Sequence, residues 1–200
     1  MNIIDKTVIK LYHEMRAKEF GEGTSQALGW HNDEGQLLRF AMLAGIGDMN
    51  NCSVLDIGCG HGDLSAYLVD KYPTLKYSGI DQVEEILAIA SARYAHLPQT
   101  SFYMGDFSVA ELPAADYVLA SGSLNYHSGE PDFIYKMISC LFNASRIAFG
   151  FNLLSKMNDP GGVLVSYDVY NIMKYCYTLS NKVILQDNYC DGDYTVWMYK

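Results

Sequence analysis

A glycine-rich turn followed at a distance by a carboxylate is the part of the sequence best suited to binding chemistry. The segment 54–62 reads VLDIGCGHG, an apolar run that leads into glycines at alternate positions. Glycine has no Cβ, so the backbone can turn tightly there and approach a ligand closely. Asp81 follows Gly60 at roughly the 20-residue interval that places an acid beside a ribose in nucleotide-binding folds. The pattern therefore predicts a site for a ligand with an adenosine-type ribose.

The spacing of the glycines distinguishes between classes of such ligand. Dinucleotide sites carry G-x-G-x-x-G and set a pyrophosphate on a helix N-terminus, whereas this turn is G-x-G-x-G and is preceded by Asp56. A carboxylate so close to the turn would repel a pyrophosphate and would suit an ammonium group. The sequence contains no G-x-x-x-x-G-K-[ST] segment, which disfavours nucleoside triphosphates. A nicotinamide-dependent oxidoreductase is therefore a weak alternative.

The elements that must position this turn alternate along the chain. Hydrophobic periodicity predicts helices over 2–20, 33–46, 62–70, 83–95, 132–142 and 167–178. Short apolar runs predict strands over 53–57, 76–80, 101–104, 116–120, 146–154, 182–189 and 194–200. Strands joined by helices indicate a parallel sheet with right-handed crossovers, and the four-residue turn 190–193 requires one antiparallel strand. The fold class is α/β, with a mostly parallel sheet of seven strands and helices on both faces.

Composition restricts the partners and the setting. The chain has 200 residues, one domain's worth, and a net charge of −9 with no cluster of Lys or Arg, which argues against nucleic acid as the partner. No window approaches the roughly 18 apolar residues of a membrane span. The five cysteines are an odd number without metal-site spacing, so no metal is expected and a reducing, cytoplasmic setting follows.

Four segments together carry a family resemblance. They are Asp56-x-Gly58-x-Gly60-x-Gly62, Ser78-Gly79-Ile80-Asp81, Gly105-Asp106-Phe107 and the run DYVLASG over 116–122. In this order they resemble the motifs of class I (Rossmann-like) S-adenosylmethionine-dependent methyltransferases, in the style of small bacterial methyltransferase-domain proteins of unassigned substrate. The resemblance covers 53–152 and extends to 200 through the final hairpin. It implies a doubly wound sheet of order 3-2-1-4-5-7-6 in one domain, 1–200, in which 1–48 form a helical cap or lid and 53–200 the core.

The resemblance also implies roles in binding S-adenosylmethionine, whose product is S-adenosylhomocysteine. The backbone at Gly58 and Gly60 would lie against the methionine part, and Asp56 would hold the amino group. Asp81 would bind the ribose hydroxyls. Cofactor contacts are also expected from Cys59, Gln82, Asp106, Phe107 and Ser121, with Asp106 and Phe107 at the adenine and the Ser121 carbonyl at the amino group.

Two further cofactor contacts are expected from the segment before the first core strand. Arg39 would form a bidentate pair with the cofactor carboxylate, and Trp30 would pack beside it. Each has a plainer alternative: Arg39 as a surface arginine of the second helix, Trp30 as a packing residue. For Asp106 the alternative is an N-cap of the following turn.

Methyl transfer from a sulfonium is an in-line displacement, for which the protein supplies orientation. A general base is needed only when the acceptor must lose a proton. His127, in the loop after the fourth strand, and His31 are the candidates, with solvent-exposed loop histidines as the alternative. Asn125 and Tyr126 of the same loop are candidate substrate contacts.

The methyl acceptor is expected to be a small molecule, and a protein acceptor is the second choice. The strand-four segment is not the D/N-P-P-Y pattern that serves base amines, and the chain has no Pro-Cys nucleophile. The alternative from another class is a methyltransferase-like module that binds cofactor, or has lost it, and acts through a protein partner. A monomer and a homodimer are both compatible with the sequence.

Overall fold

A computed structural model describes residues 1–156 and 162–200. Its helices are α1 (Ile3–Phe20), α2 (Asp33–Ala44), α3 (Asp63–Lys71), α4 (Glu84–Arg93), α5 (Phe133–Ala144) and α6 (Val169–Leu179). Its strands are β1 (Ser53–Ile57), β2 (Lys76–Asp81), β3 (Thr100–Met104), β4 (Ala115–Ala120), β5 (Ser145–Leu154), β6 (Lys182–Gln186) and β7 (Asp193–Tyr199). Single 3-10 turns lie at Gln26–Leu28 and Ser123–Asn125. The elements predicted from periodicity are all present, with ends shifted by a few residues.

The strands form one sheet of order β3-β2-β1-β4-β5-β7-β6, which confirms the predicted topology. The pairs β1–β2, β2–β3, β1–β4 and β4–β5 are parallel. Strand β7 runs antiparallel between β5 and β6, as the short turn before it requires. Strand order reverses beside β1, and the carboxyl ends of strands at such a reversal form the usual ligand crevice of open α/β sheets.

Helices cover both faces of the sheet. Successive residues of a strand point to opposite sides, so neighbouring residues of one strand pack on different faces. Leu55 and Val118 pack on the face covered by α5 and α6. Their neighbours Val54 and Tyr117 pack on the other face, beneath α2 and α3. The central strands β1 and β4 are therefore buried at most positions, and their carboxyl ends are held in place at the site.

The helix ends follow from local hydrogen bonding. The Asn32 side-chain oxygen accepts the Gly35 N–H at 2.8 Å, so Asn32 is the N-cap of α2. Helix α5 begins at Phe133, after Asp132 with φ of 60°. Pro131 consequently precedes the helix.

Helix α1 turns its apolar stripe away from the protein. Ile4, Val8, Leu11 and Met15, whose spacing predicted the helix, are all exposed. The buried residues are instead Ile9 and His13, since α1 contacts the Gln26–Leu28 turn and the cavity described below rather than a face of the sheet.

Within the described ranges, no helix is both long enough and apolar enough to cross a membrane.

Candidate active site

A cavity of about 480 Å³ opens at the carboxyl ends of β1, β2 and β4. Its floor is the glycine turn, and its walls include the segment 28–40 and residues of α1. A volume of this size lies within the range of roughly 300–1,000 Å³ typical of small-ligand sites. The core strands therefore position the floor, while the two N-terminal helices complete the walls.

The glycine turn is held against the end of β2 by its own backbone. The N–H groups of Gly58 and Cys59 both donate to the Ile80 carbonyl, at 2.8 and 3.0 Å. Gly58 has φ of 68°, and a Cβ there would lie 2.3 Å from the Ser123 Cβ. Gly60 has φ of 57°, and a Cβ there would lie 2.8 Å from the Leu28 Cδ1. The positive φ favours glycine at both positions, and the bare backbone lies at the cavity surface.

Asp81 ends β2 as a buried carboxylate fixed by backbone donors. Its Oδ2 accepts from Gly60 N–H at 2.9 Å, and its Oδ1 accepts from Val83 N–H at 3.0 Å. Burial raises the pKa of this carboxyl, against the lowering effect of these bonds. Each oxygen keeps a second lone-pair direction, so the side chain can still accept from the two hydroxyls of a ribose.

Asp56, at the carboxyl end of β1, is 2% exposed and only half satisfied. Its Oδ2 accepts from the Tyr77 hydroxyl at 2.5 Å. Its Oδ1 has no hydrogen-bond partner among the described residues. Burial, opposed by the Tyr77 bond and reinforced by Asp81, raises the pKa of Asp56 to about 7. An unpaired buried carboxylate oxygen beside the cavity fits a cationic group of a ligand.

Asp106, expected at the adenine, is engaged by α1. Its Oδ1 accepts from the Ser108 N–H at 2.9 Å and the Ser108 hydroxyl at 2.6 Å, and its Oδ2 pairs with the Lys6 ammonium. Burial opposes ionisation, but the bonds from Lys6 and Ser108 outweigh it and lower the pKa of this carboxyl. Phe107 beside it is buried and lines the cavity. The two Ser108 bonds fit the alternative expectation, in which Asp106 caps the following turn.

Arg39 is not the surface arginine of the plainer alternative. Its side chain is 16% exposed, and the guanidinium donates to both oxygens of Asp193, at 2.7 and 2.5 Å. The Trp30 ring lies 4.5 Å from the same guanidinium. Both Arg39 and Trp30 line the cavity, but Asp193 at the start of β7 already occupies the carboxylate-binding fork. The expected pair with a cofactor carboxylate therefore has a competitor inside the protein.

The two candidate general bases are placed differently. His31 is exposed and lines the cavity rim. His127 is exposed and does not line the cavity. The backbone there bonds to the segment after β5, with His127 N–H donating to Val163 O at 2.9 Å and Val165 N–H donating to Asn125 O at 2.7 Å. Because this pairing fixes the loop with the His127 ring in solvent, the structure does not support a base at His127.

The remaining expected contacts border the cavity. They are Cys59, Gln82, Ser121, Asn125 and Tyr126. The Asn125 amide is committed to the Val165 carbonyl at 2.9 Å, which makes it a support for the loop.

Sequence reasoning missed His13, which lines the cavity from α1. Its Nδ1 lies 3.1 Å from the Ala27 carbonyl, and its Nε2 lies 2.8 Å from the Tyr126 hydroxyl. The available signal was its position four residues after Ile9, which places both on one face of the helix.

Part of the chain is similar in sequence to known methyltransferases. Residues 54–143 match the family model described as a methyltransferase domain. A trans-aconitate 2-methyltransferase of Acidovorax is 27% identical over 88 residues, 44% of this chain and 33% of that protein. A putative methyltransferase of Mycobacterium tuberculosis is 32% identical over 112 residues, 54% of this chain and 66% of that protein. The match spans about a third of the length of these trans-aconitate 2-methyltransferases.

Solved structures share the architecture. The magnesium protoporphyrin IX methyltransferase of Synechocystis, crystallised with bound S-adenosylhomocysteine, superposes with a TM-score of 0.73 at 18% identity. The match covers 98% of this chain and 99% of that one. Identity this low is evidence for the fold alone.

Proposed function

The chain carries a class I methyltransferase domain, and from this premise we propose that it transfers the methyl group of S-adenosylmethionine to a small-molecule acceptor. The observation that carries the proposal is the buried Asp56 Oδ1, which has no hydrogen-bond partner in the described part of the chain and lies beside a cavity that Asp81, at the end of the neighbouring strand, also lines. One carboxylate suits the ammonium group of this cofactor and the other suits its ribose hydroxyls. When bound, the cofactor supplies an electrophilic methyl group on its sulfonium.

The protein's part in this reaction is binding, orientation and exclusion of water. Asp56 would hold the cofactor amino group through Oδ1, and Asp81 would accept from the ribose hydroxyls. Gly58 and Gly60 present bare backbone, so the methionine portion can lie against the turn. Asp106 and Phe107 would border the adenine. Helices α1 and α2 would cover the reacting atoms, with 1–48 acting as a cap on the core.

The charges of the cavity favour a neutral or cationic acceptor. Among the residues that the structure describes, Arg39 is the only arginine or lysine lining it, and Asp193 neutralises that charge. The lining acids include Glu34, Asp56 and Asp81. A polycarboxylate such as the one named for the trans-aconitate relatives would meet net negative charge here, so we propose a different acceptor class.

A calorimetric titration with S-adenosylmethionine and S-adenosylhomocysteine tests the cofactor assignment. We expect micromolar binding by the wild type, loss of binding in Asp81→Asn, and no binding of NAD. Asp70→Asn, an exposed change on α3 outside the cavity, is the matched control and should bind as the wild type does. Folded wild-type protein that binds neither ligand would refute the enzyme and favour a module acting through a protein partner.

A screen of methyl acceptors tests the proposed acceptor class. Radiolabelled methyl transfer to neutral and amine-bearing small molecules, without transfer to tricarboxylates, is the expected result. Preferential methylation of a tricarboxylate would refute the charge argument. A cytoplasmic setting and a monomeric or homodimeric state stay predictions, which fractionation and light scattering would check.

A further inference from the structure

Two aromatic side chains from distant parts of the chain form a hydrogen-bonded pair in the cavity. His13 comes from α1, and Tyr126 comes from the loop after β4. The Tyr126 hydroxyl lies 2.8 Å from His13 Nε2. Their rings meet edge to face with centroids 5.7 Å apart, which fixes their relative orientation. The pair joins the helical cap to the strand end that borders the reaction centre.

The surroundings of His13 determine which ring nitrogen carries its proton. Nδ1 lies 3.1 Å from the Ala27 carbonyl, which can only accept, so Nδ1 is the protonated nitrogen. In the neutral ring Nε2 is then an acceptor, and the Tyr126 hydroxyl must donate to it. The phenolic oxygen keeps its lone pairs for another donor. A backbone carbonyl orienting a histidine that accepts from a hydroxyl is the arrangement of an activated proton acceptor.

We propose that Tyr126 is the catalytic residue that takes the proton of the methyl acceptor and that His13 is the positioning residue that receives the Tyr126 proton in turn. The inference rests on the proposed methyltransferase function and extends it to acceptors that must lose a proton, such as a hydroxyl, thiol or protonated amine.

The protons and electrons balance along this relay. The nucleophilic atom of the acceptor forms a bond to the methyl carbon as the sulfonium–carbon bond breaks, and the electron pair of that bond stays on sulfur. The acceptor's proton moves to the Tyr126 oxygen, and the Tyr126 hydroxyl proton moves to His13 Nε2. His13 ends as an imidazolium still bonded to the Ala27 carbonyl through Nδ1. Release of that proton to solvent resets the pair.

The charged and titratable groups around His13 determine the pH range over which its ring can accept a proton. Burial, the largest influence, lowers the pKa of His13 below the ordinary value of 6.5; the Ala27 carbonyl and Asp81 act to raise it, and Arg16 acts to lower it. Tyr12 packs against the His13 ring, and His61 interacts with it through space. Burial raises the pKa of Tyr126 well above its ordinary value, so the hydroxyl stays protonated at rest and acts by relay rather than as a standing phenolate.

Nitrogen-15 NMR of the histidine rings in the S-adenosylhomocysteine complex tests the arrangement directly. We expect His13 to be neutral at pH 7 with its proton on Nδ1. Tyr126→Phe should shift Nε2 by removing its donor. A proton on Nε2, or a charged ring at pH 7, would overturn the relay whatever the enzyme methylates. Because the same sample first reports whether S-adenosylhomocysteine binds, failure of the proposed function is seen separately.

Methyl transfer to a panel of simple phenols, thiols and amines gives the functional arm. His13→Gln and Tyr126→Phe should each lower kcat at least tenfold, because general acid–base catalysis contributes roughly 100-fold or more. The Kd for S-adenosylmethionine should change less than twofold. The acid limb of the wild-type kcat profile, with its midpoint below 6.5, should disappear in His13→Gln. His96→Gln, an exposed histidine outside the cavity, is the control. An acid limb that persists in His13→Gln, or variants that weaken cofactor binding without lowering kcat, would overturn the proposal. If no panel member is methylated, the ring-nitrogen shifts decide.

Discussion

Replacing Asp56 by asparagine is expected to stabilise the ligand-free protein above neutral pH while abolishing cofactor binding. Asp56 is 2% exposed, and its Oδ1 lacks a partner among the described residues, so its charge is costly until a ligand cation arrives. Asparagine has the same shape and can still accept from the Tyr77 hydroxyl, but it carries no charge. The site thus holds a destabilising group that binding would satisfy.

The magnitude follows from the pKa of Asp56. Burial, the largest influence, raises it from 3.8 to about 7. A carboxyl whose folded pKa is raised contributes its stability fully below the unfolded pKa and loses it as pH rises through the folded pKa. The loss is complete above pH 7 and amounts to about 4 kcal/mol at 1.36 kcal/mol per unit. Asparagine escapes this loss, so its advantage should be about 4 kcal/mol at pH 8 and roughly 1.7 kcal/mol, less than half as much, at pH 5.

Thermal unfolding of the wild type and Asp56→Asn at both pH values measures this difference. For a chain of this size a gain of about 4 kcal/mol corresponds to an increase in Tm of roughly 10 °C at pH 8. Calorimetry with S-adenosylhomocysteine should show loss of binding in the same variant, and Asp70→Asn should change neither property. A variant equally destabilised at both pH values, or one that binds like the wild type, would refute the reasoning.

Three further outcomes follow from neighbouring groups. Gly58→Ala places a Cβ 2.3 Å from a neighbouring side chain at φ of 68°, so it should cost roughly 1–3 kcal/mol in urea unfolding and weaken S-adenosylhomocysteine binding; unchanged values for both would contradict the close approach. Asp193→Asn frees the Arg39 guanidinium, so calorimetry should detect succinate binding in the variant and none in the wild type; equal affinity would show that the ion pair does not exclude carboxylates. Lys6→Met removes the ion pair with Asp106 that ties α1 to the core. Stopped-flow should therefore show faster release of S-adenosylhomocysteine from the variant, at a rate that does not depend on salt concentration. A wild-type release rate would indicate that α1 does not gate the site.

The sequence by itself determined the sheet and the floor of the site. Strand and helix boundaries follow from local hydrophobic periodicity, and the strand order followed from the resemblance carried by four short motifs. The placement of Asp56, Gly58 and Asp81 at adjacent strand ends was also predictable. Parallel strands joined by right-handed crossovers must bring their carboxyl ends to one edge, whatever covers them.

Only the tertiary structure decided which side chains meet across the cavity. Arg39 and Asp193 are 154 residues apart, and His13 and Tyr126 are 113 apart. No periodicity or motif links such positions, since their contact depends on how the cap docks on the sheet. The same docking exposes the apolar stripe of α1, although its spacing is that of a buried helix face. Local patterns report the conformation of a segment, while the partner of a side chain is set by the packing of segments far apart in the chain.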